Sequence, residues 1–317
     1  MVEFEDMKSI TPHIASQLRK NGIFTVEGLA MSASTFLKEN LKRVSARKIQ
    51  EVKEEAYKIL NWWFKPASKL AEERKQEIVF PTGCSKLDKL LGGGVRTRSI
   101  TEFAGPYCSG KTESLLTLMV ETLGKNPGFT AIYFDSEEAF SSGTRASQIA
   151  EARGYNSQEI LERVIYMPVY TTDHFVMGVN ASKTEIKERN VKLILIDSII
   201  APFRAEYIGR EMLPPRQQNL NVVLRELQNL AKVFNLAVVV TNQVVDNPQV
   251  LYTLDPVKQK IPTGGNIIAH NAESRIHLRE AQKNRRIARL HDSSWLPEGE
   301  CLFQITVKGI EDVPEEA

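Results

Sequence analysis

Ile100-Thr101-Glu102-Phe103-Ala104-Gly105-Pro106-Tyr107-Cys108-Ser109-Gly110-Lys111-Thr112 is the stretch on which the fold turns. Its apolar start, Ile100 to Phe103, reads as a buried strand. Gly105 to Thr112 fits the pattern GxxxxGK[ST], and Glu113 to Leu123 behind it reads as a helix. Strand, loop and helix in that order are the context the pattern requires. Gly105, Pro106, Tyr107, Cys108, Ser109 and Gly110 then form a loop whose free backbone N–H groups, with the helix N-terminus, favour phosphate oxygens. Lys111 brings a charge to the β- and γ-phosphates, and the Thr112 hydroxyl is a ligand for Mg²⁺.

Working outward, four more short apolar runs alternate with helical stretches. They are Ala131–Phe134, Val164–Tyr166, Leu193–Ile196 and Ala237–Val240. Such alternation predicts a mainly parallel sheet covered on both faces, an α/β fold. Lys192 to Asp197 is a buried strand ending in a carboxylate, and Asp197 behind a phosphate loop is the expected holder of the Mg²⁺ shell. Phe134-Asp135-Ser136-Glu137-Glu138 ends another strand on the same side. Glu137 there reads as the base that activates water, or else as part of an acidic turn or helix cap. Gln243, in Thr241-Asn242-Gln243, reads as an amide sensing the γ-phosphate, or as a plain polar strand end.

The chain has 317 residues, net charge +2, 25% charged and 42% hydrophobic residues. That composition excludes a disordered chain, a fibrous repeat or a coiled coil, and it argues against a purely charge-driven nucleic-acid binder. The length suggests roughly two domains. The three cysteines, Cys84, Cys108 and Cys301, are far apart, and the five histidines have no metal-ligand spacing. A reducing, cytoplasmic setting is expected. The start MVEFEDMKSI has no apolar core, and no run of 18 apolar residues occurs, so no signal peptide or membrane span is expected.

Residues 8–60 read as short helices, with Ile14, Leu18, Ile23, Val26 and Leu29 at helical spacing. The expected division is a helical module over 1–60, a linker over 61–78 and an ATPase core over 79–317. In the linker, Trp62-Trp63-Phe64-Lys65-Pro66-Ala67 reads equally as a seal on the small domain or as a docking segment.

These pieces in this order resemble the RecA-type recombinases, in particular archaeal RadA and its eukaryotic counterparts. Beyond the phosphate loop, the resemblance rests on Thr82 to Gly94, Phe203 to Arg210 with Arg216-Gln217-Gln218, Asn242-Gln243-Val244, Gly264-Gly265-Asn266 with Ala269-His270, and Arg286 to Leu290 with Asp292-Ser293 and Leu296 to Gly299. It implies a RecA-like P-loop ATPase core and a helix-hairpin-helix-like N-terminal domain. It implies ATP and Mg²⁺ as cofactors, single- and double-stranded DNA as partners, and homologous pairing and strand exchange in DNA repair. The segment 205–217 would be a first DNA-binding loop, with Arg210 and Arg216 on phosphates, and 244–266 a second, containing Gly264 and Gly265. Gln243 and His270 would couple the γ-phosphate to that loop. Phe64 and Ala67 match a polymerisation motif that would dock on the next protomer, giving a filament or ring. Residues 291–299, with Asp292, Ser293, Ser294 and Pro297, would cap the neighbour's ATP. Arg145 would stack on adenine. Other recombinases or mediator proteins would be further partners.

The chain also departs from the pattern. Cys108 stands where the family has Gly, Glu113 where it has Gln, and Ser294 where it has Pro. The hairpin turns carry Thr11-Pro12-His13 and Arg43-Val44-Ser45 in place of glycines. A Cβ at position 108 restricts the loop, and a carboxylate after Thr112 adds negative charge beside phosphate. Two other classes therefore stand beside the recombinase: an ATP-binding RadA-like paralogue that remodels another recombinase's filaments, and a ring helicase or kinase on the same core.

Overall fold

A computed structural model describes residues 4, 7–64, 66–140, 143–246 and 260–314. The chain forms two compact units, one ending at Glu77 and one beginning at Ile78.

The first unit is helical. Helices α1 (Pro12–Lys20), α2 (Val26–Met31), α3 (Ser34–Asn40) and α4 (Ala46–Ile59) close on a core that includes Ile14, Leu18, Ile23, Val26, Leu29, Leu37, Ile49 and Val52. Two stretches that stand in place of glycine turns are helix starts. Thr11 caps α1 through Ile14 N–H, and Ser45 caps α4 through Lys48 N–H. A further helix, α5 (Ala67–Arg74), lies within the expected linker and begins at Ala67.

The second unit is built on one large sheet. Its elements are β1 (Val79–Phe80), α6 (Ser85–Leu90), β2 (Val95–Arg96), β3 (Ile100–Gly105), α7 (Lys111–Lys125), β4 (Thr130–Asp135), α8 (Thr144–Ala152), α9 (Ser157–Glu162), β5 (Val164–Pro168), α10 (Thr172–Glu188), β6 (Val191–Asp197), α11 (Ala201–Glu206), α12 (Leu213–Phe234), β7 (Ala237–Asp246), β8 (Lys260–Pro262), α13 (Gly265–Asn271), β9 (Ser274–Glu280), β10 (Arg285–Ser293), β11 (Gly299–Thr306) and β12 (Gly309–Asp312). The strand order is β12-β11-β10-β9-β3-β7-β6-β4-β5, with β8 paired to β7 and β1–β2 a separate ribbon. From β9 to β5 all neighbours are parallel, and the β10–β12 extension is antiparallel.

Burial explains why the parallel strands read as unbroken apolar runs. Tyr133, Leu193, Leu195 and Val239 join one hydrophobic cluster with α7 residues such as Leu115 and Met119. Their neighbours Ile132, Phe134, Ile194, Ile196 and Val240 join a second, with Phe175, Leu224 and Leu227. Successive side chains point to opposite faces, and helices cover both faces.

Candidate nucleotide site

Strand register gathers the chemistry along one end of the four interior strands β3, β7, β6 and β4. Gly105 at the end of β3 lies beside Gln243 of β7, and Asp135 of β4 lies beside Asp197 of β6. Parallel strands put Gly105, Asp135 and Asp197 at carboxyl ends, where an open α/β sheet places its ligand, and Gln243 lies level with them although β7 runs on to Asp246.

Between β3 and α7 the loop bends through left-handed backbone at Cys108 (φ 59°) and Gly110 (φ 96°). Glycine takes that conformation freely, whereas the Cβ of Cys108 strains it, at roughly 1–2 kcal/mol. Ser109 is buried, and its hydroxyl makes no hydrogen bond. Lys111 Nζ rests on the carbonyls of Gly105 (3.1 Å) and Pro106 (2.8 Å). Burial pushes its ammonium below the usual lysine range, against the pull of Asp197 and Glu137.

Asp197 is the hub. Its carboxylate accepts from Thr112 Oγ1 (2.7 Å), Thr241 Oγ1 (2.5 Å) and the Tyr133 hydroxyl (3.2 Å). The metal-ligand pair expected from the sequence, Thr112 and Asp197, is thus already in contact. Two hard oxygens beside a lysine and an unpartnered buried hydroxyl fit a Mg²⁺-bound phosphate.

The three acidic residues at the end of β4 and in the turn after it separate by role. Asp135 is buried and accepts from the N–H groups of Glu137, Ala139 and Phe140 at 3.2, 3.0 and 2.9 Å, so it shapes the turn. Glu138 is exposed with φ 55°. Glu137 faces the site: its Oε1 accepts from Ser198 Oγ and from Gln243 Nε2, each at 2.7 Å. Gln243 Oε1 in turn accepts from Arg204 Nη1 at 2.6 Å. Ser136 braces the turn through bonds with the Ser198 N–H (2.8 Å) and carbonyl (2.9 Å).

Several other residues singled out from the sequence sit outside the bonded array around Asp197 and Glu137. Arg145 pairs with Glu113, through Nε to Oε1 and Nη2 to Oε2, both at 2.8 Å. Arg210 is exposed between α11 and α12. The expected first loop, 205–217, is shorter in the fold: α11 runs to Glu206 and α12 starts at Leu213, because prolines suit a first helical turn. Arg216 therefore sits on a helix. The expected second loop, 244–266, is also partly regular, since β7 reaches Asp246 and β8 pairs back onto it; residues 247–259 lie outside the described residues. Gly264 (φ 92°) is the N-cap of α13, Gly265 opens that helix, and His270 is exposed near its end. Thr263 N–H donates to Gln243 O at 2.8 Å, so the base of this segment is tied to the sensing strand. Asp292 and Ser293 close β10 opposite Arg275 and Ser274; Ser294 N–H donates to Glu273 O at 3.3 Å, and Pro297 is exposed.

The sequence pattern did not single out Tyr133, Ser136, Ser198 and Arg204 as functional. Their roles come from contacts across strands, which local spacing does not carry. A buried set beneath the loop was also missed. Glu102 binds Arg275 Nε (2.5 Å) and Asn242 Nδ2 (2.6 Å), and Asn242 also donates to Thr263 O (2.7 Å).

The family model Rad51 matches residues 73–313. The chain belongs to the Rad51 family. Rad51-family proteins are RecA-like recombinases, and the mostly parallel sheet with its phosphate loop at the end of β3 fits their core. The match begins after Phe64 and Ala67, so the helical unit and the aromatic segment lie outside it for the most part. Among the described residues no helix is long and apolar enough to cross a membrane, and no cluster of His, Cys, Asp and Glu could hold a metal by itself.

Proposed function

We propose that this Rad51-family chain is an ATP-dependent DNA recombinase, close to archaeal RadA. In this reading it polymerises on single-stranded DNA and catalyses homologous pairing and strand exchange. The observation that carries the ATPase part is the bonded array Thr112–Asp197–Thr241 with Glu137 held between Ser198 and Gln243.

Each residue then has a task. Lys111 and the backbone N–H groups of the loop bind the triphosphate. Thr112 and Asp197 would hold Mg²⁺, which supplies charge neutralisation at the phosphate oxygens when bound. Glu137 takes the proton of the attacking water, and the hydroxyl of Ser198 orients it. Gln243, bonded at one end to Glu137 and at the other to Arg204, links the γ-phosphate side to α11 and the loop after it. Arg210 and Arg216 bind phosphates of the single strand, and Gly264 and Gly265, with His270 behind them, carry the second DNA contact. Asp292, Ser293, Ser294 and Pro297 cap a neighbour's nucleotide. The N-terminal helices, with Lys42, Arg43 and Arg47 exposed, supply the duplex-facing module.

The test is ATP hydrolysis with and without single-stranded DNA, next to a strand-exchange assay. Lys111→Ala is expected to abolish nucleotide binding and hydrolysis. Glu137→Gln is expected to keep binding and to lose about 10²–10⁴-fold in turnover. DNA-stimulated hydrolysis that survives Lys111→Ala would overturn the reading. The left-handed Cys108 favours a second reading, a paralogue that binds ATP with little hydrolysis and remodels another recombinase's filaments. Tight ATP binding without DNA-stimulated turnover would select it.

A further inference from the structure

We propose that Arg145 is a charge-neutralising positioning residue for the nucleotide: by holding Glu113 in a two-pronged ion pair, it stops the carboxylate after Thr112 from opposing bound phosphate. The inference rests on the reading of 105–112 as a phosphate site.

Glu113 lies in the first turn of α7. A carboxylate there suits the helix dipole of the free protein, but the same helix end is where phosphate of the same sign would bind. The opposing charge comes from the first turn of α8, where a cation is disfavoured by that helix's own dipole and so needs a partner. Arg145 Nε and Nη2 reach the two oxygens of Glu113 at 2.8 Å each, the parallel fork that only arginine offers.

The fork is fixed from a third side. Arg145 Nη2 also donates to Thr306 O (2.6 Å) at the end of β11, and Nη1 to Val307 O (3.3 Å) in the turn that leads to β12. That turn is held to α7 by Ile310 N–H donating to Thr117 Oγ1 at 3.0 Å. Glu113 and Arg145 are only 23% and 28% exposed, so their mutual field is less screened than at an open surface. The acidic residue that sets this phosphate loop apart is therefore matched by a built counter-charge, and the pair presents no net charge to the nucleotide.

The guanidinium bonds lie in its plane, so stacking on adenine is a rival role, and the two separate in a double-mutant cycle. Binding of a fluorescent ATP analogue with Mg²⁺ is measured on the full chain, with melting curves alongside. Arg145→Met is expected to weaken binding by about tenfold, the effect of one unmasked charge at partial burial. Glu113→Gln alone is expected to bind as the native chain does or more tightly. The double variant is expected to return to within about twofold of native, a coupling that marks interacting groups. If the double variant binds as weakly as Arg145→Met, the guanidinium acts on the nucleotide itself and the inference is overturned. Should Arg145→Met fail to fold, Arg145→Lys decides, because it keeps the charge. Native-like affinity supports neutralisation, and a tenfold loss with a native melting curve overturns it. Lys111→Ala separates the underlying reading: binding that ignores Lys111 removes the phosphate site and this inference together. Binding that needs Lys111 but shows no coupling removes this inference alone.

Discussion

Asp197 is buried beneath the hydroxyls of Thr112, Thr241 and Tyr133. Burial raises its carboxyl above the usual carboxylate range, and the charge of Glu137 adds to the rise, while the bonds from Thr241, Thr112 and Tyr133 pull the other way. The folded chain holds this proton more tightly than the unfolded chain, so the contribution is full below the unfolded pKa and is lost as pH rises through the folded one. The ionised form is therefore a cost to the free fold, retained for its chemistry. Asp197→Asn should therefore raise unfolding free energy by on the order of 1 kcal/mol at pH 7 while ending hydrolysis. Calorimetry should show a Tm gain of about 2–4 °C that shrinks on acidification. A lower Tm at pH 7 would mean that the lost hydroxyl bonds outweigh the relief of burial.

Helix α12 shows the same tension at the level of an element. Its first turn carries Pro214, Pro215 and Arg216, and no acidic residue. A cation at a helix N-terminus costs about 0.3–1 kcal/mol unless an anion is present. Arg216→Gln is thus expected to stabilise the free chain slightly and to weaken single-strand binding. If Arg216 neutralises one phosphate, the slope of log affinity against log salt falls by about 0.7. An unchanged slope would remove Arg216 from the interface. Sequence pattern reached the parallel strands well, because burial on both faces leaves them continuously apolar. It did not reach β10 and β11, where arginines interrupt the apolar residues (Arg285-Arg286-Ile287-Ala288-Arg289-Leu290) and only Ala288 and Leu290 of β10 are buried. In the site, Lys111, Thr112, Asp197, Glu137 and Gln243 were legible from strand ends and one loop pattern. Ser198, Arg204 and the Glu113–Arg145 pair were not, since each depends on residues distant in sequence meeting across the fold.

At the scale of the whole molecule, the aromatic segment before α5 divides between two tasks. Trp63 meets Tyr57 edge to face, with centroids 5.9 Å apart, so it belongs to the helical unit. Phe64 is 98% exposed. Fully burying a large apolar side chain that stands in water is worth about 1.5–3 kcal/mol on a partner surface. A knob at one place and a pocket elsewhere on the same chain make a head-to-tail contact, which propagates as a filament or closes as a ring. The exposure separates folding from assembly. Phe64→Ala removes no contact from the free chain, so its unfolding free energy should stay within about 0.5 kcal/mol of native. Each protomer junction should lose about 10- to 150-fold in affinity, at 1.4 kcal/mol per tenfold. Because a filament repeats the junction, sedimentation and electron microscopy with ATP and single-stranded DNA should show assemblies collapsing to monomers. Filaments of native length formed by Phe64→Ala would show that the junction lies elsewhere, and the exposed ring would then need another partner.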